Sequence, residues 1–461
     1  TLKKKKKQRF ASFRALDSNQ HRSDEKKKKE NGEDQAEIVD DDQSGKVSSQ
    51  GLETRSIDSS RSVKLVGKIA DVDANFVGKD VNIDVDGNMK MDMEGCVLGP
   101  SPEPEAWDSG RIGPPVVRRY LSDNEERWIM WYSASGGSLK NEVMGLAISS
   151  NGVHWKRGNG LVDNSGPSSE DVGKVLDCSD NWWAFDTEVT RPSDVLVLSS
   201  LKGRVTAGVY WMYYTGGSSE TIDIPKPISL PPNQVEFLYS DESVTVHRTR
   251  PGLAMSHDGR AWARIEGEHH SGALFDGGEG KWDSLFIAAP HVVYSGPDDL
   301  RMYYHAFDIK SGCFSIGFAR SRDGMKWVKY GKLLGGGLPG TFDEFGVKCP
   351  QVVPHPDGNG YLMIYEGVAM DGSISFGLAR SKDGLSKWER CSDSPMFSVA
   401  EKENAWDSGR IHHPCLVHMD GEEWRLYYQG VDKSGRSGVG MAECSDGKLQ
   451  KFQRCHIGLH L

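Results

Sequence analysis

The chain has 461 residues and a net charge of -10. A nucleic-acid binder carries a basic surplus, so no nucleic-acid partner is expected for the bulk of the chain. No window of about 18 apolar residues occurs, which excludes a membrane-spanning helix. The 53 Gly, 13 Trp and 14 Tyr suit a β-rich chain with many tight turns.

Residues 1–62 are a different material from the rest. Thr1–Leu16 holds seven Lys/Arg and no acid, and the following stretch is rich in Ser, Asp, Glu, Gln and Lys. Such composition cannot bury enough apolar surface to offset its ordering entropy, so a disordered charged extension is expected. Its basic, acid-free start reads as a transit-peptide remnant, which predicts a plastid stroma location. The basic runs Lys3–Lys7 and Lys26–Lys29 leave the nucleus or cytoplasm as the alternative. Eight cysteines stand without a CxxC pair, and no Asn-x-Ser/Thr acceptor occurs. Both observations favour a reducing compartment, with the cysteines acting as small buried hydrophobes.

Residues 63–99 read as a lead-in, in which Val63–Ala70 is a candidate closing strand. From residue 100 to 461 a pattern repeats. An aromatic-Asp pair runs into a strand-like stretch that reaches Pro: Trp107-Asp108 to Pro115, Phe185-Asp186 to Pro192, Trp282-Asp283 to Pro290, Phe342-Asp343 to Pro350, and Trp406-Asp407 to Pro414. An aromatic strand follows, then a small-residue strand that usually ends in Ser-x-Asp-Gly, a turn whose Asp and Gly tolerate positive φ. The turn glycines are Gly152, Gly259, Gly324, Gly384 and Gly447. The longer first interval carries insertions near 163–182 and 218–248. Four antiparallel strands per ~60 residues, arranged radially, protect their edges as a β-propeller. The expected fold is therefore all-β, a five-bladed propeller.

Residues repeated in every unit read as scaffold, because a catalytic group is needed once. Asp283 and Asp343 are therefore expected in turns, and Trp131-Tyr132, Tyr213-Tyr214 and Tyr303-Tyr304 in packing between units. Two columns vary. One follows the second-strand aromatics: Ser133, Thr215, His305, Glu366 and Gln429. Here Glu366 is a candidate general acid or base and His305 a proton or anion partner; the competing reading pairs Glu366 with a neighbouring Arg. The other column is the first strand, which carries Arg111, Arg191, Lys348, Arg410, His412 and His413. Guanidinium forks suit phosphate or carboxylate. Arg111 and Arg410 sit in neighbouring units of a closed ring, so they are expected either close together or bound to the repeated Asps. His412 and His413 are adjacent in a strand and point to opposite faces, so no metal and no other cofactor is expected from them.

At this point the chain resembles the five-bladed propeller superfamily of arabinanases, levansucrases and invertases, together with the β-mannoside phosphorylases, over roughly residues 100–450. Trp107-Asp108-Ser109-Gly110-Arg111-Ile112-Gly113-Pro114-Pro115, followed by Trp128-Ile129-Met130-Trp131-Tyr132, looks most like a phosphorylase blade and also like the levansucrase Trp-Asp-Ser. The resemblance implies a glycosidase- or glycoside-phosphorylase-like protein acting through carboxylates in an axial pocket. The residues before the matching prolines are Pro114, Arg191, Ala289, Cys349 and His413, where the arabinanase and invertase branches place Asp. The remaining catalytic candidates are Asp108, by similarity to Trp-Asp-Ser, with Asp186, Glu188 and Glu366 as partners. Arg111, Arg191, His305, Arg410 and His413 are the candidate substrate- or anion-binding residues. The expected ligand is a carbohydrate or sugar phosphate, with a protein partner as a further expectation. The alternative is a catalytically degenerate propeller that binds a sugar, an anion or a protein in an organelle.

Overall fold

A computed structural model describes residues 91–455 apart from 122–125, 138–139, 159–161, 163–171, 199–207, 228–238, 279, 446 and 448. The chain divides into Thr1–Lys64 and Leu65–Leu461, and the described residues all belong to the second unit. The extension 1–62 and the suggested closing strand Val63–Ala70 lie outside them. Among the described residues every regular element is a strand.

After β1 (Cys96–Leu98), the same four-step antiparallel order recurs. The first set is β2 (Arg111–Leu121), β3 (Glu126–Ser135), β4 (Val143–Ser149) and β5 (Gly173–Leu176). The second is β6 (Val189–Leu198), β7 (Val209–Pro227), β8 (Tyr239–Ser256) and β9 (Ala263–Ile265). The third is β10 (Ala288–Gly296), β11 (Asp299–Asp308), β12 (Cys313–Ser321) and β13 (Val328–Leu334), and the fourth is β14 (Gly346–Pro354), β15 (Tyr361–Val368), β16 (Ile374–Ser381) and β17 (Glu389–Arg390). These two sets join through a single parallel pair, Phe314 with Gly346. The last set is β18 (Arg410–His418), β19 (Trp424–Val431), β20 (Ser437–Cys444) and β21 (Gln453–Arg454). Its outer edge is completed from both ends of the described chain, because β1 and β21 each pair with β20.

The first strands touch in cyclic order: β2 with β6, β6 with β10, β10 with β14, β14 with β18, and β18 with β2. The buried clusters follow the same cycle. One holds Tyr427 and Trp128, the next Trp131 and Met212, then Tyr213 and Tyr304, then Tyr303 and Tyr365, then Leu362 and Tyr428. Each core is thus shared by two neighbouring sheets, and each large side chain so buried stabilises the fold by roughly 1.5–3 kcal/mol.

The repeated residues explain why the units look alike. In every set the aromatic of the aromatic-Asp pair packs on a second-strand tyrosine, from Trp107 on Tyr132 at 5.3 Å to Phe342 on Tyr365 at 6.2 Å between ring centroids. The tyrosine hydroxyl donates to the adjoining Asp: Tyr132 to Asp108, Tyr214 to Asp186, Tyr304 to Asp283, Tyr365 to Asp343 and Tyr428 to Asp407, all at 2.9–3.1 Å. A cation near the fourth strand closes each clasp: Arg157, Arg264, Lys329, Arg390 or Arg454. The third-strand glycine makes room. A Cβ at Gly377 would meet the Tyr365 ring at 2.5 Å, and one at Gly145 the Trp107 ring at 2.0 Å.

The first member of each aromatic pair reaches the next set instead. Trp131 donates to the Gly259 carbonyl, Tyr213 to Gly324, Tyr303 to Gly384, and Tyr427 across the seam to Gly152. In the fourth set Ile364 stands at that position. The acceptors lie in the expected Asp-Gly-type turns, whose glycines have φ between +69° and +76°.

Phe342-Asp343 lies in a turn before β14, as expected of Asp343, and the carboxylate turns inward to meet Tyr365. Two details differ from the sequence reading. The fourth strand of the first set is β5, inside the stretch read as an insertion, while Lys156 makes only an isolated bridge to Ile148. The described parts of the 218–248 insertion prolong the paired strands β7 and β8. Its Ile222, Ile224 and Val246 join a buried cluster with Phe286, Phe307 and Phe345.

Candidate functional site

Every first strand carries a β-bulge at the residues around its proline: between Ile112 and Pro115, Pro192 and Asp194, Ala288 and His291, Lys348 and Gln351, and His412 and Cys415. A bulge releases backbone groups from the ladder. Three pre-proline residues there, Ala289, Cys349 and His413, have φ of +48° to +50°. Such backbone is strained for a residue with a side chain, and it persists only where its surroundings hold it.

The variable second-strand column supplies that hold. Thr215 Oγ1 accepts the Ala289 N–H at 2.9 Å. His305 Nδ1 accepts the Cys349 N–H at 3.3 Å. Glu366 Oε1 accepts the His413 N–H at 2.6 Å. Gln429 Nε2 donates to the Ile112 carbonyl at 2.8 Å. Ser133 acts through a relay: its hydroxyl donates to Glu142 at 2.5 Å, and Glu142 takes the Arg191 guanidinium at 2.8–2.9 Å. Three of these side chains therefore perform one task, accepting the N–H of the left-handed bulge residue of the next set. Gln429 instead donates to a carbonyl at the next bulge, and Ser133 reaches the next set only through Glu142 and the Arg191 side chain. Their variety had suggested chemistry; their geometry assigns them to support.

This end of the ring, where the first strands begin, carries the buried carboxylate of Glu366 and the largely buried one of Glu142. Glu366 is fully buried, with Lys348 Nζ at 3.2 Å and His412 Nδ1 at 3.4 Å from Oε2. Burial alone would raise its pKa, but Lys348, His412 and His413 outweigh that and hold it well below the usual carboxylate value. The buried ion pair expected with an Arg is thus made with Lys348. The sequence reading missed Glu142. Burial again opposes its charge, and Arg191, Arg111 and Ser133 prevail to lower its pKa. Both groups are ionised near neutral pH, so neither is a resting general acid.

The remaining candidates are placed as follows. Asp108 and Asp186 occupy the repeated clasps beside Tyr132–Arg157 and Tyr214–Arg264. Arg111 comes together with Arg191 around Glu142, while Arg410 is exposed at the start of β18. The repeated Asps take the clasp cations already named, in place of Arg111 and Arg410. His305 turns Nδ1 to Cys349 and packs edge-on against Phe286. Glu188 immediately precedes β6, and its carbonyl accepts the Glu142 N–H at 3.0 Å. Its own half-buried carboxyl group takes no hydrogen bond or ion pair from the described residues.

Deeper on the axis is a cavity of about 30 Å³, whose lining includes Pro115, Pro192, Cys349, Pro350, His413 and Pro414. At its edge the Cys349 thiol, a Glu366 oxygen and a His413 ring nitrogen lie within 4.8 Å of one another, a set able to hold a metal ion. The expectation that the two adjacent histidines point apart is not met: the bulge between His412 and Cys415 breaks the strand alternation, so His412 Nδ1 lies 3.4 Å from Glu366 Oε2 while His413 joins the donor set that includes Glu366. All eight cysteines are free. No helix among the described residues is long and apolar enough to cross a membrane.

No known protein-family profile matches the chain. A curated relative, the uncharacterized protein MT1551 of Mycobacterium tuberculosis (strain CDC 1551 / Oshkosh), is 28% identical over 127 residues, which is 28% of this chain and 39% of that protein. The chain thus matches well under two thirds of that relative's length. Among solved structures, an N-acetylgalactosamine deacetylase from F. plautii in complex with blood group B trisaccharide superposes with a TM-score of 0.49 at 16% identity, covering 78% of this chain and 96% of that one. A structure reported on GH130-family mannoside phosphorylases and glycoside hydrolases that target β-1,2 mannosidic linkages in Candida mannan gives 0.49 at 16%, covering 79% and 96%. A glycoside hydrolase gives 0.50 at 17% identity, covering 80% of this chain and 95% of that one; at this identity the likeness is one of fold.

Proposed function

We propose that the chain is a five-bladed β-propeller enzyme that cleaves a glycosidic bond at the end of the ring where the first strands begin, by hydrolysis or phosphorolysis. The ligand in this reading is a carbohydrate or sugar phosphate. Glu188 carries the proposal. Glu142 and Glu366 are ionised and committed to cations, whereas Glu188 is half-buried, adjoins Glu142, and is outside every clasp. A carboxyl group in that position is suited to give a proton to a leaving sugar oxygen. Arg111, Arg191 and Arg410 lie at the same end. Cations of this kind favour an anionic co-substrate such as phosphate, whose attack would remove the need for a second carboxylate to activate water.

The test is turnover by the full chain against a panel of aryl glycosides and oligosaccharides, with and without inorganic phosphate. The reading predicts product formation, with a loss of about 100-fold or more in Glu188→Gln at unchanged melting temperature. Full activity in Glu188→Gln would reject the assignment of the acid. Absence of both turnover and carbohydrate binding in the folded protein would reject the enzyme reading and favour a non-catalytic propeller.

A further inference from the structure

We propose that Cys349, Glu366 and His413 form a binding site for one thiophilic divalent cation of the zinc type. The three donor atoms lie within 4.8 Å of one another and come from β14, β15 and β18. They belong to two neighbouring sets of the ring, so their spacing is fixed by the fold and not by one loop. A thiolate, a carboxylate and an imidazole match the ligand preference of zinc; calcium and magnesium take oxygen alone. Tetrahedral zinc places such donors roughly 3.4–3.6 Å apart, so rotamer adjustments of about 1 Å complete the site.

The surroundings support these donors. Cys349 and His413 share the left-handed bulge conformation, and a hydrogen bond to the preceding set clasps each backbone N–H. Three donors approach the Glu366 carboxylate, namely the His413 N–H, Lys348 and His412. A carboxylate has about four lone-pair positions, so one remains for a metal. Cys349 and His413 also line the axial cavity, so the fourth metal position faces open volume. Three protein ligands and one open position is the pattern that admits water or another small ligand.

Charge predicts what that ligand is. Binding releases the thiol proton, and the thiolate and the carboxylate then offset the two charges of the ion. Lys348, at 3.2 Å from Glu366, leaves the site with one net positive charge. An anion in the fourth position, hydroxide or phosphate, completes the balance. The inference is independent of the glycosidic reading, because its test reads metal binding and not turnover.

The experiment is titration of the reduced full chain with Co²⁺ and Zn²⁺, followed by absorption spectroscopy and calorimetry. One Co²⁺ per chain should bind and give a thiolate-to-cobalt charge-transfer band, which Zn²⁺ abolishes by displacement. Cys349→Ser should remove the band. His413→Gln, which keeps the backbone N–H that Glu366 accepts, should weaken binding by about 10-fold or more. Cys391→Ser, at an exposed cysteine, should change neither. Circular dichroism and melting curves establish that each variant is folded. Absence of stoichiometric binding to the folded wild-type chain overturns the proposal. So does a band that survives in Cys349→Ser, or affinity unchanged in His413→Gln.

Discussion

The Tyr–Asp–cation clasps and the ring of bulges are built on opposite plans. Each clasp uses nearly the same residues five times: an aromatic-Asp pair, a tyrosine and an Arg or Lys. The bulge clasps use Thr215, His305 and Glu366, chemically unlike groups that each accept a bulge N–H, with Gln429 donating to a bulge carbonyl and Ser133 acting through Glu142. Identity across units marks scaffold, but variety does not by itself mark chemistry. A bulge N–H needs only an acceptor, and hydroxyl, imidazole and carboxylate all qualify. Function is then sought in groups that neither recur nor clasp, of which Glu188 is the clearest.

Breaking a repeated clasp should have the largest effect on stability. Asp343→Ala leaves the Tyr365 hydroxyl and the Arg390 guanidinium without their shared acceptor inside the core. Removing one partner of a buried pair costs about 3–5 kcal/mol; because Arg390 is a quarter exposed, about 3 kcal/mol is expected. Chemical denaturation measures this. A loss below about 1 kcal/mol would place the clasp at the level of surface ion pairs.

The bulge clasps should cost less individually and titrate differently. Glu366→Gln retains an acceptor for the His413 N–H but leaves Lys348 without its counter-charge, for an expected loss of about 2 kcal/mol near neutral pH. The wild-type pH dependence has a defined sign. The folded carboxylate has a lowered pKa, so its contribution is fully present above the unfolded value of about 4.3 and disappears as pH falls through the folded value. The wild-type and variant stability curves should therefore converge below about pH 4. Parallel curves across that range would show that folding leaves the Glu366 pKa at its unfolded value.

Smaller still is the seam between the last and first sets. Tyr427→Phe removes the hydroxyl that donates to the Gly152 carbonyl at 2.8 Å and keeps the ring in its buried cluster. A net loss of about 1 kcal/mol is expected, measured as a shift in the denaturation midpoint at constant slope. A changed slope would mean that the seam opens as a separate step.

The repeat was legible because it is local. Aromatic-Asp pairs, tyrosine strands and Asp-Gly turns are each set by a few consecutive residues. The clasp cations were also present as a pattern, two residues after an aromatic: Trp155 and Arg157, Trp262 and Arg264, Trp327 and Lys329, Trp388 and Arg390, Phe452 and Arg454. Reading that spacing would have assigned Asp108 and Asp186 to clasps and removed Arg111 and Arg410 as partners of the repeated Asps. What the sequence could not show was contact across sets. Glu142 stands at an unremarkable position just before β4, and only the ring brings it between Arg111 and Arg191. The donors Cys349, Glu366 and His413 have no metal-ligand spacing, because two bulges and a neighbouring strand bring them together.

Glu188→Gln should have the smallest effect on stability and the largest on turnover. Its carboxyl makes no hydrogen bond or ion pair with the described residues, and its backbone contact to Glu142 survives the substitution. The expected stability change is within about 0.5 kcal/mol, typical of sites away from packed or paired groups. Asp108→Asn, in contrast, disturbs Tyr132 and Arg157 and should destabilise the first set along with any activity. The pair separates two meanings of a lost activity. If Glu188→Gln is stable and inactive while Asp108→Asn loses activity only in proportion to its unfolded fraction, chemistry resides outside the repeat. If folded Asp108→Asn is inactive and Glu188→Gln is not, the first clasp has acquired a catalytic role that the other four lack.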